Sequence, residues 1–225
     1  MTFSITARCA RTGQFGVAVS SSSPAVAARC AHARAGVGAV ATQNITDPRI
    51  GPRGLDLMAK GMRARDALAM ITAASPDIDY RQLAFVDQNG QAAVFSGSQA
   101  LGNYGALAFE NGAVAGNLLT SPHVLEEMRD FFESSIEADL GDRLIGTMLS
   151  GLAAGGEEGP VHSAGLIIVR DVAWPVADLR VDWHDDDPIG ALAALWERWK
   201  PQLDAYVTRA LNPSGAPSYG VPGDR

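Results

Sequence analysis

The second residue of the chain is a threonine, in the opening stretch Met1-Thr2-Phe3-Ser4-Ile5. A threonine hydroxyl is a poor nucleophile until a base takes its proton. If threonine is itself amino-terminal, its α-amino group, with a pKa of about 7.7–8.0, is that base and no histidine is needed. Threonine is small enough for methionine aminopeptidase to remove a preceding Met, so Met1 is expected to leave. The competing reading makes Thr2 the first residue of a strand and nothing more, since many chains begin Met-Thr. One reading predicts a hydrolase, the other a structural or binding protein.

Further candidates lie downstream. "SSSSPAV" (Ser20–Val26) follows a strand pattern. Its Ser20 and Ser22 offer hydroxyls and backbone N–H groups to a developing oxyanion, where one donor contributes about 2.7–4 kcal/mol; the alternative is a polar loop ended by Pro24. "ATQNITDPRIGPRG" presents Gln43, Asn44 and Thr46 where a strand becomes a loop. Arg49 or Arg53 there could hold a substrate carboxylate. Asp47-Pro48 and Gly51-Pro52 are also ordinary turn and helix-entry signals. In "DWHDDDP", His184 and three Asp residues invite a metal, yet Asp residues before Pro188 are better explained as a helix N-cap with a negative first turn. No metal and no cofactor is expected. Cys9 and Cys30 read as small buried hydrophobes. His162, just before a late strand, is the histidine placed to face substrate.

These residues need elements to hold them. "TFSITAR" alternates Phe3, Ile5 and Ala7 against Thr2, Ser4 and Thr6, the period of a half-buried strand. "FGVAVSS" (Phe15–Ser21) returns after a turn, and "GVGAVATQ" (Gly36–Gln43) is a third strand, rich in small residues and so covered on both faces. Two helices follow, with apolar residues from Leu55 to Ile71, stopped at Ser75-Pro76. "QNG" and Asn111-Gly112 mark two hairpins. Ser121-Pro122 reads as N-cap and first position of a helix, and a further helix covers about Glu137–Ala154. Two late strands and a helix capped by Asp187-Pro188 complete the order, with Pro201 expected to kink or split the last helix. Hairpin-rich strands interrupted by paired helices do not suit a parallel sheet. They suit an α+β, four-layer αββα sandwich of two antiparallel sheets. Residues 1–212 read as a single domain, and 213–225 as a Pro/Gly-rich tail that is mobile or laid on a partner.

Composition narrows the partners. A net charge of -7 argues against nucleic acid and anionic membranes. No apolar run approaches the roughly 20 residues that span a bilayer, and the start lacks a signal-peptide pattern. With two cysteines and no disulfide framework, the chain reads as cytoplasmic with reduced thiols. A small polar molecule is the expected substrate, and a homo-oligomer built through the Trp-bearing last helix and the tail is an expected assembly.

An ordered set of strings resembles a known family: "TFSI", "GQFGVAV", "ARAGVGAVATQ", "DPRIGPRGLDLM", Gly116-Asn117, "HSAGLIIVR" and "DLRVDWHDDDP", spanning nearly the whole chain. The set is similar to a bacterial family of unknown function classed as N-terminal-nucleophile (Ntn) hydrolase-like. The resemblance implies the αββα sandwich and an amide hydrolase, with no substrate attached. It matches Thr2 and Ser4 to the family's opening Thr and Ser, Gln43 to the glutamine closing its third strand, Asn117 to its asparagine before the central helices, and Ser163 to the serine of its late strand. Many members carry Gln at the positions of Ser20 and His162, so the cleft of this chain differs in shape and polarity. A lysine near the nucleophile is not evident, because Lys60 and Lys200 fall on helices.

The reading is therefore an Ntn-type hydrolase of a small amide or related C–N bond. Thr2 is the nucleophile, Ser20, Ser22, Gln43 and Asn117 polarise the carbonyl and orient substrate, and Ser4, Asn44, Arg49, His162 and Ser163 bind it. The alternative is a catalytically silent sandwich that binds a metabolite or acts as an assembly module.

Overall fold

The computed structural model describes residues 2–220; Met1 and residues 221–225, the end of the predicted tail, lie outside the described residues. The alternation of "TFSITAR" becomes strand β1 (Thr2–Arg8), antiparallel to β2 (Phe15–Ser21). On its other side β1 pairs with β8 (Gly112–Asn117), and β8 with β7 (Gly105–Phe109). Beyond β2 lie β9 (Ser163–Val169) and β10 (Ala177–Val181). The order of this six-stranded antiparallel sheet is thus β10-β9-β2-β1-β8-β7, with β1 in its interior.

A second, four-stranded antiparallel sheet has the order β3-β4-β5-β6: β3 (Ala31–Arg34), β4 (Gly38–Asn44), β5 (Arg81–Asp87) and β6 (Ala92–Ser96). The β5–β6 and β7–β8 hairpins turn where "QNG" and the segment before Gly112 predict them, and Asn111 takes the left-handed φ of 63° that such a turn demands.

Helices pack against both sheets. Phe3, Ile5 and Ala7 pack with Met128 and Phe132 of α4 (His123–Ser134), Leu144 and Met148 of α5 (Leu140–Ala153), and Trp196 of α6 (Pro188–Trp199). Val40, Leu83 and Phe85 of the second sheet pack with Ile50, Leu55 and Met58 of α2 (Ile50–Ala59), and Leu68 and Ile71 of α3 (Ala64–Ala74). A Cβ on Gly54 would stand 2.4 Å from the Phe85 ring, so the absence of a side chain there lets α2 lie this close to the sheet. A third cluster joins the two sheets: Phe15, Val17, Ala113 and Val169 from one, Ala39, Ala41 and Ala84 from the other. The second sheet contributes only alanines among the buried members of this cluster.

Several boundaries differ from expectation. The third strand starts at Gly38, not Gly36, and a short helix α1 (Ala27–Cys30) and strand β3 precede it. Ser121 is not a side-chain N-cap: α4 begins after Pro122, and Ser121 contributes only its backbone carbonyl, to Val124 N–H at 3.4 Å. Helix α5 starts at Leu140 rather than Glu137, because Asp139 is extended. Asp187 does cap α6, its carboxylate accepting from Gly190 N–H at 2.8 Å with Pro188 at the first turn. Pro201 splits the last helix, a 3-10 turn at Lys200–Gln202 separating α6 from α7 (Leu203–Leu211).

The Trp residues of α6 serve the chain's own interior. Trp196 donates to Asp142 at 2.7 Å, and Trp199 stacks on Tyr206 of α7 at 4.8 Å. Tyr219 lies under the Arg209 guanidinium of α7 at 3.8 Å, so the described part of the tail folds back on that helix. Among the described residues no helix is long and apolar enough to cross a membrane.

Candidate functional site

Strand register decides which polar residues share a face with Thr2. Directly opposed residues of an antiparallel pair point to the same side of a sheet. Thr2 stands opposite Ser21 on β2 and Asn117 on β8, and Ser21 stands opposite Ser163 on β9. Phe3 stands opposite Ser20. Because Phe3 faces α4 and α5, Ser20 lies on the helix side of the sheet, away from Thr2. Its hydroxyl donates to the Ser163 carbonyl at 3.0 Å. The structure therefore places Ser20 on the opposite face from Thr2, and its buried neighbour Ser21 beside Thr2.

Thr2 is buried, with 5 % of its surface exposed. Its hydroxyl donates to Ser21 Oγ at 3.2 Å. Ser21 Oγ lies 2.9 Å from Ser23 Oγ and also accepts the Ser23 N–H at 3.1 Å. Ser23 Oγ in turn accepts from the Arg29 guanidinium at 2.5 Å, and Arg29 also donates to the Pro24 and Ala25 carbonyls. A file of three hydroxyls thus runs from Thr2 to a fixed positive charge. Ser163 braces the loop that carries it, donating to the Ser23 carbonyl at 2.6 Å and accepting from Val26 N–H.

On the side facing the second sheet, apolar residues give way to buried polar ones. Ser4 donates to Gln43 Oε1 at 2.6 Å, and Gln43 Nε2 donates to Gln82 Oε1 at 3.3 Å. Gln82 Oε1 also accepts from Asn117 Nδ2 at 2.9 Å, while Gln82 Nε2 donates to Ser96 Oγ and to the Gly116 carbonyl, each at 3.0 Å. This network stitches β4 and β5 to β1 and β8. Asn117 Oδ1 is buried with no hydrogen-bond partner among the described residues, which leaves one acceptor beside Thr2 uncommitted.

Other expected members stand apart. Arg49 is exposed and bound to Asp47 at 2.8 Å, its guanidinium holding that carboxyl below the usual range. Its side chain is spent on its own turn. Asn44, with a φ of 70°, is consumed in a loop clamp, donating to the Tyr80 carbonyl and accepting from Leu101 N–H. Ser22 is half-buried at the loop start, and its backbone N–H faces the carboxyl of Glu157. His162 adjoins the cluster through its backbone, donating to the Ser21 carbonyl at 2.8 Å, while its ring stacks on Trp183 at 4.4 Å. Ser21, Ser23, Arg29, Gln82 and Glu157 are the residues that sequence reasoning missed. For Ser21 the signal was available, since counting back from a two-strand register with Thr2 selects it.

The more obvious hollows of the surface lie elsewhere. One is lined by Thr12, Trp196 and Lys200, others by Arg143 and Phe132, by Cys9 and Arg11, by Arg65 and Glu110, and by Arg34 and Trp174; none of these five borders Thr2, Gln43 or Asn117. None of these linings includes a member of the polar cluster at Thr2. Among the described residues no group of three or more His, Cys, Asp or Glu could hold a metal ion.

Two antiparallel sheets with helices packed on them, and a polar cluster at the start of an interior strand, define a mixed α+β protein with one buried candidate site. The chain belongs to DUF1028, a family of unknown function, whose model matches residues 2–192. The crystal structure of a protein from Silicibacter pomeroyi with the same family description is similar at a TM-score of 0.81 and 30% identity, over 88% of this chain and 88% of that one. The Anbu (ancestral beta-subunit) from Yersinia bercovieri is a much weaker likeness, at a TM-score of 0.38 and 12% identity over 91% of this chain and 97% of that one. No curated protein matches the chain.

Proposed function

We propose that this chain is an Ntn-type hydrolase of a small amide or related C–N bond, built on a four-layer αββα sandwich, with Thr2 as nucleophile after removal of Met1. The observation that carries this reading is the hydroxyl file: the Thr2 hydroxyl, buried at the start of an interior strand, is hydrogen-bonded through Ser21 and Ser23 toward Arg29. Burial alone would ask for one partner to the Thr2 hydroxyl; the file continues beyond it to a guanidinium. The helix clusters on the outer faces of both sheets, with an apolar layer between the sheets, support the sandwich.

The chemistry follows from the groups present. The free α-amino group takes the Thr2 Oγ proton while Oγ attacks the substrate carbonyl carbon. The C=O π pair becomes the oxyanion of a tetrahedral adduct. As the adduct collapses, the C–N bond breaks and the ammonium gives its proton to the departing amine, leaving an ester on Thr2. Water, deprotonated by the same amine, attacks the ester, and the acid leaves as Oγ regains its proton. The sum is amide plus water giving acid plus amine. Arg29, acting through Ser23 and Ser21, favours negative charge on Thr2 Oγ. Asn117 Oδ1 accepts an N–H of the substrate. Removal of Met1 frees the amine.

The experiment is intact mass followed by trapping with an electrophilic lactone. The expected result is a chain lacking Met1 and a single adduct on its first peptide, absent in Thr2→Ala. Retention of Met1, or an unchanged adduct in Thr2→Ala, overturns the reading in favour of a silent sandwich that binds a metabolite.

A further inference from the structure

Glu157 has no part in the chemistry above, yet it lies against it. Strand β8 ends at Asn117, opposite Thr2, and the chain runs on past the start of β1. There Leu119 bridges Glu157, with Glu158 N–H bonded to the Leu118 carbonyl and Thr120 N–H to that of Gly156. On the other side of β1, β2 ends at Ser21, also opposite Thr2, and the next residue, Ser22, turns its N–H to the Glu157 carboxyl. Continuations of both neighbours of β1 therefore flank Glu157, which stands beyond the first residue of that strand.

The carboxyl is buried, with 6 % of the residue exposed, and neither oxygen has a hydrogen bond of good geometry among the described residues. In the Met1-bearing chain burial pushes its pKa up to about 8, against the pull of the Met1 amino group and the Ser22 N–H. Glu158 does not share the site, its carboxylate lying 3.4 Å from Asn103 Nδ2. A buried carboxyl left this short of partners is costly unless a cation or donor completes it. With Met1 in place the Thr2 nitrogen is a neutral amide with one N–H. Once Met1 is gone the amino-terminal charge passes to that nitrogen, an ammonium with three N–H groups.

We propose that Glu157 is the positioning residue for the α-amino group of Thr2, receiving as an ion pair the ammonium that Met1 removal creates at the head of β1. The proposal rests on the reading of Thr2 as the processed amino terminus. The pair holds the base in place beside Oγ and sets the pH at which it becomes free. An opposite charge favours the ammonium, so the carboxylate raises the amine's midpoint, and the two titrations belong to the pair rather than to either group. The acid limb of activity is then governed by Glu157 as well as by Thr2.

The test follows two NMR titrations on the processed protein. With carbon-13-labelled threonine, the Thr2 amine midpoint in Glu157→Gln is expected to fall by about one pH unit or more relative to wild type, and Glu157→Asp, which keeps the charge, to restore part of the shift. Equal midpoints in wild type and Glu157→Gln overturn the proposal. The second titration needs no variant. The carboxyl carbon of Glu157 is followed in wild type before and after treatment with methionine aminopeptidase. Its midpoint is expected to drop further on Met1 removal, as the amino-terminal charge passes from Met1 onto the Thr2 nitrogen, and an unchanged midpoint overturns the pairing. Neither readout depends on turnover, so an unpaired Glu157 and an inert Thr2 are distinguishable failures.

Discussion

At the scale of single residues, the site turns on one step of register. Ser20 and Ser21 are adjacent, identical and both buried, yet only Ser21 shares a face with Thr2. A shift of one residue along a strand sends every side chain to the other side, so the two serines have different work. Ser21→Ala removes the first link of the hydroxyl file. It is expected to slow lactone trapping by processed Thr2 by about 10- to 100-fold, less than the 10²–10⁴-fold of a direct acid–base group. Ser20→Ala is expected to leave the trapping rate unchanged. It costs only the net worth of one buried hydrogen bond to the Ser163 carbonyl, about 1 kcal/mol. Time-resolved mass spectrometry of the three proteins checks both. Equal slowing by the two variants would assign the file no role.

At the scale of elements, signals that act locally were legible. The alternation of β1, the two hairpin turns, the Asp187 cap and the Pro201 break depend on a few neighbouring residues, and they appear where the sequence places them. Helix α1 and strand β3 were not legible, since four residues each carry too little periodicity to read. Strand β3 exists because β4 supplies a partner. The same limit hid Gln82 and Glu157, whose roles arise from contacts across sheets and loops rather than from spacing. Arg49 and Asn44 are engaged in their own turns, since polar residues at a strand end serve turns as readily as sites. The cap of α6 can be tested alone. Ile189, Leu192 and Trp196 anchor that helix in the core cluster under the six-stranded sheet. Asp187→Ala leaves Gly190 N–H without its acceptor and is expected to lower stability by about 1 kcal/mol, seen as a lower urea midpoint at unchanged slope.

At the scale of the whole molecule, the cost of burying Glu157 falls on global stability, with a sign fixed by the direction of its shift. In the unfolded chain the carboxyl titrates near 4.5, and in the folded, Met1-bearing protein at about 8. Between those values the folded state holds a proton that the unfolded state has lost. The stabilisation linked to that proton is fully present below the unfolded value and is lost as pH rises through the folded one. His32 works the other way. Burial lowers its pKa beneath 6.5, so its contribution is present above that pH and lost on acidification. Above pH 6.5 the two no longer oppose each other. There the Met1-bearing protein is expected to lose on the order of 1–2 kcal/mol as pH rises to about 8, and Glu157→Gln to lose that much less. Every other titrating group is common to the two proteins, so the difference between their urea unfolding curves at each pH isolates Glu157. In the processed protein the amino-terminal charge is on Thr2 itself, paired with the carboxylate, and the same difference is expected to shrink. A slope indifferent to both Glu157→Gln and Met1 removal would mean that the carboxyl is solvated in the folded state and that its burial costs the fold nothing.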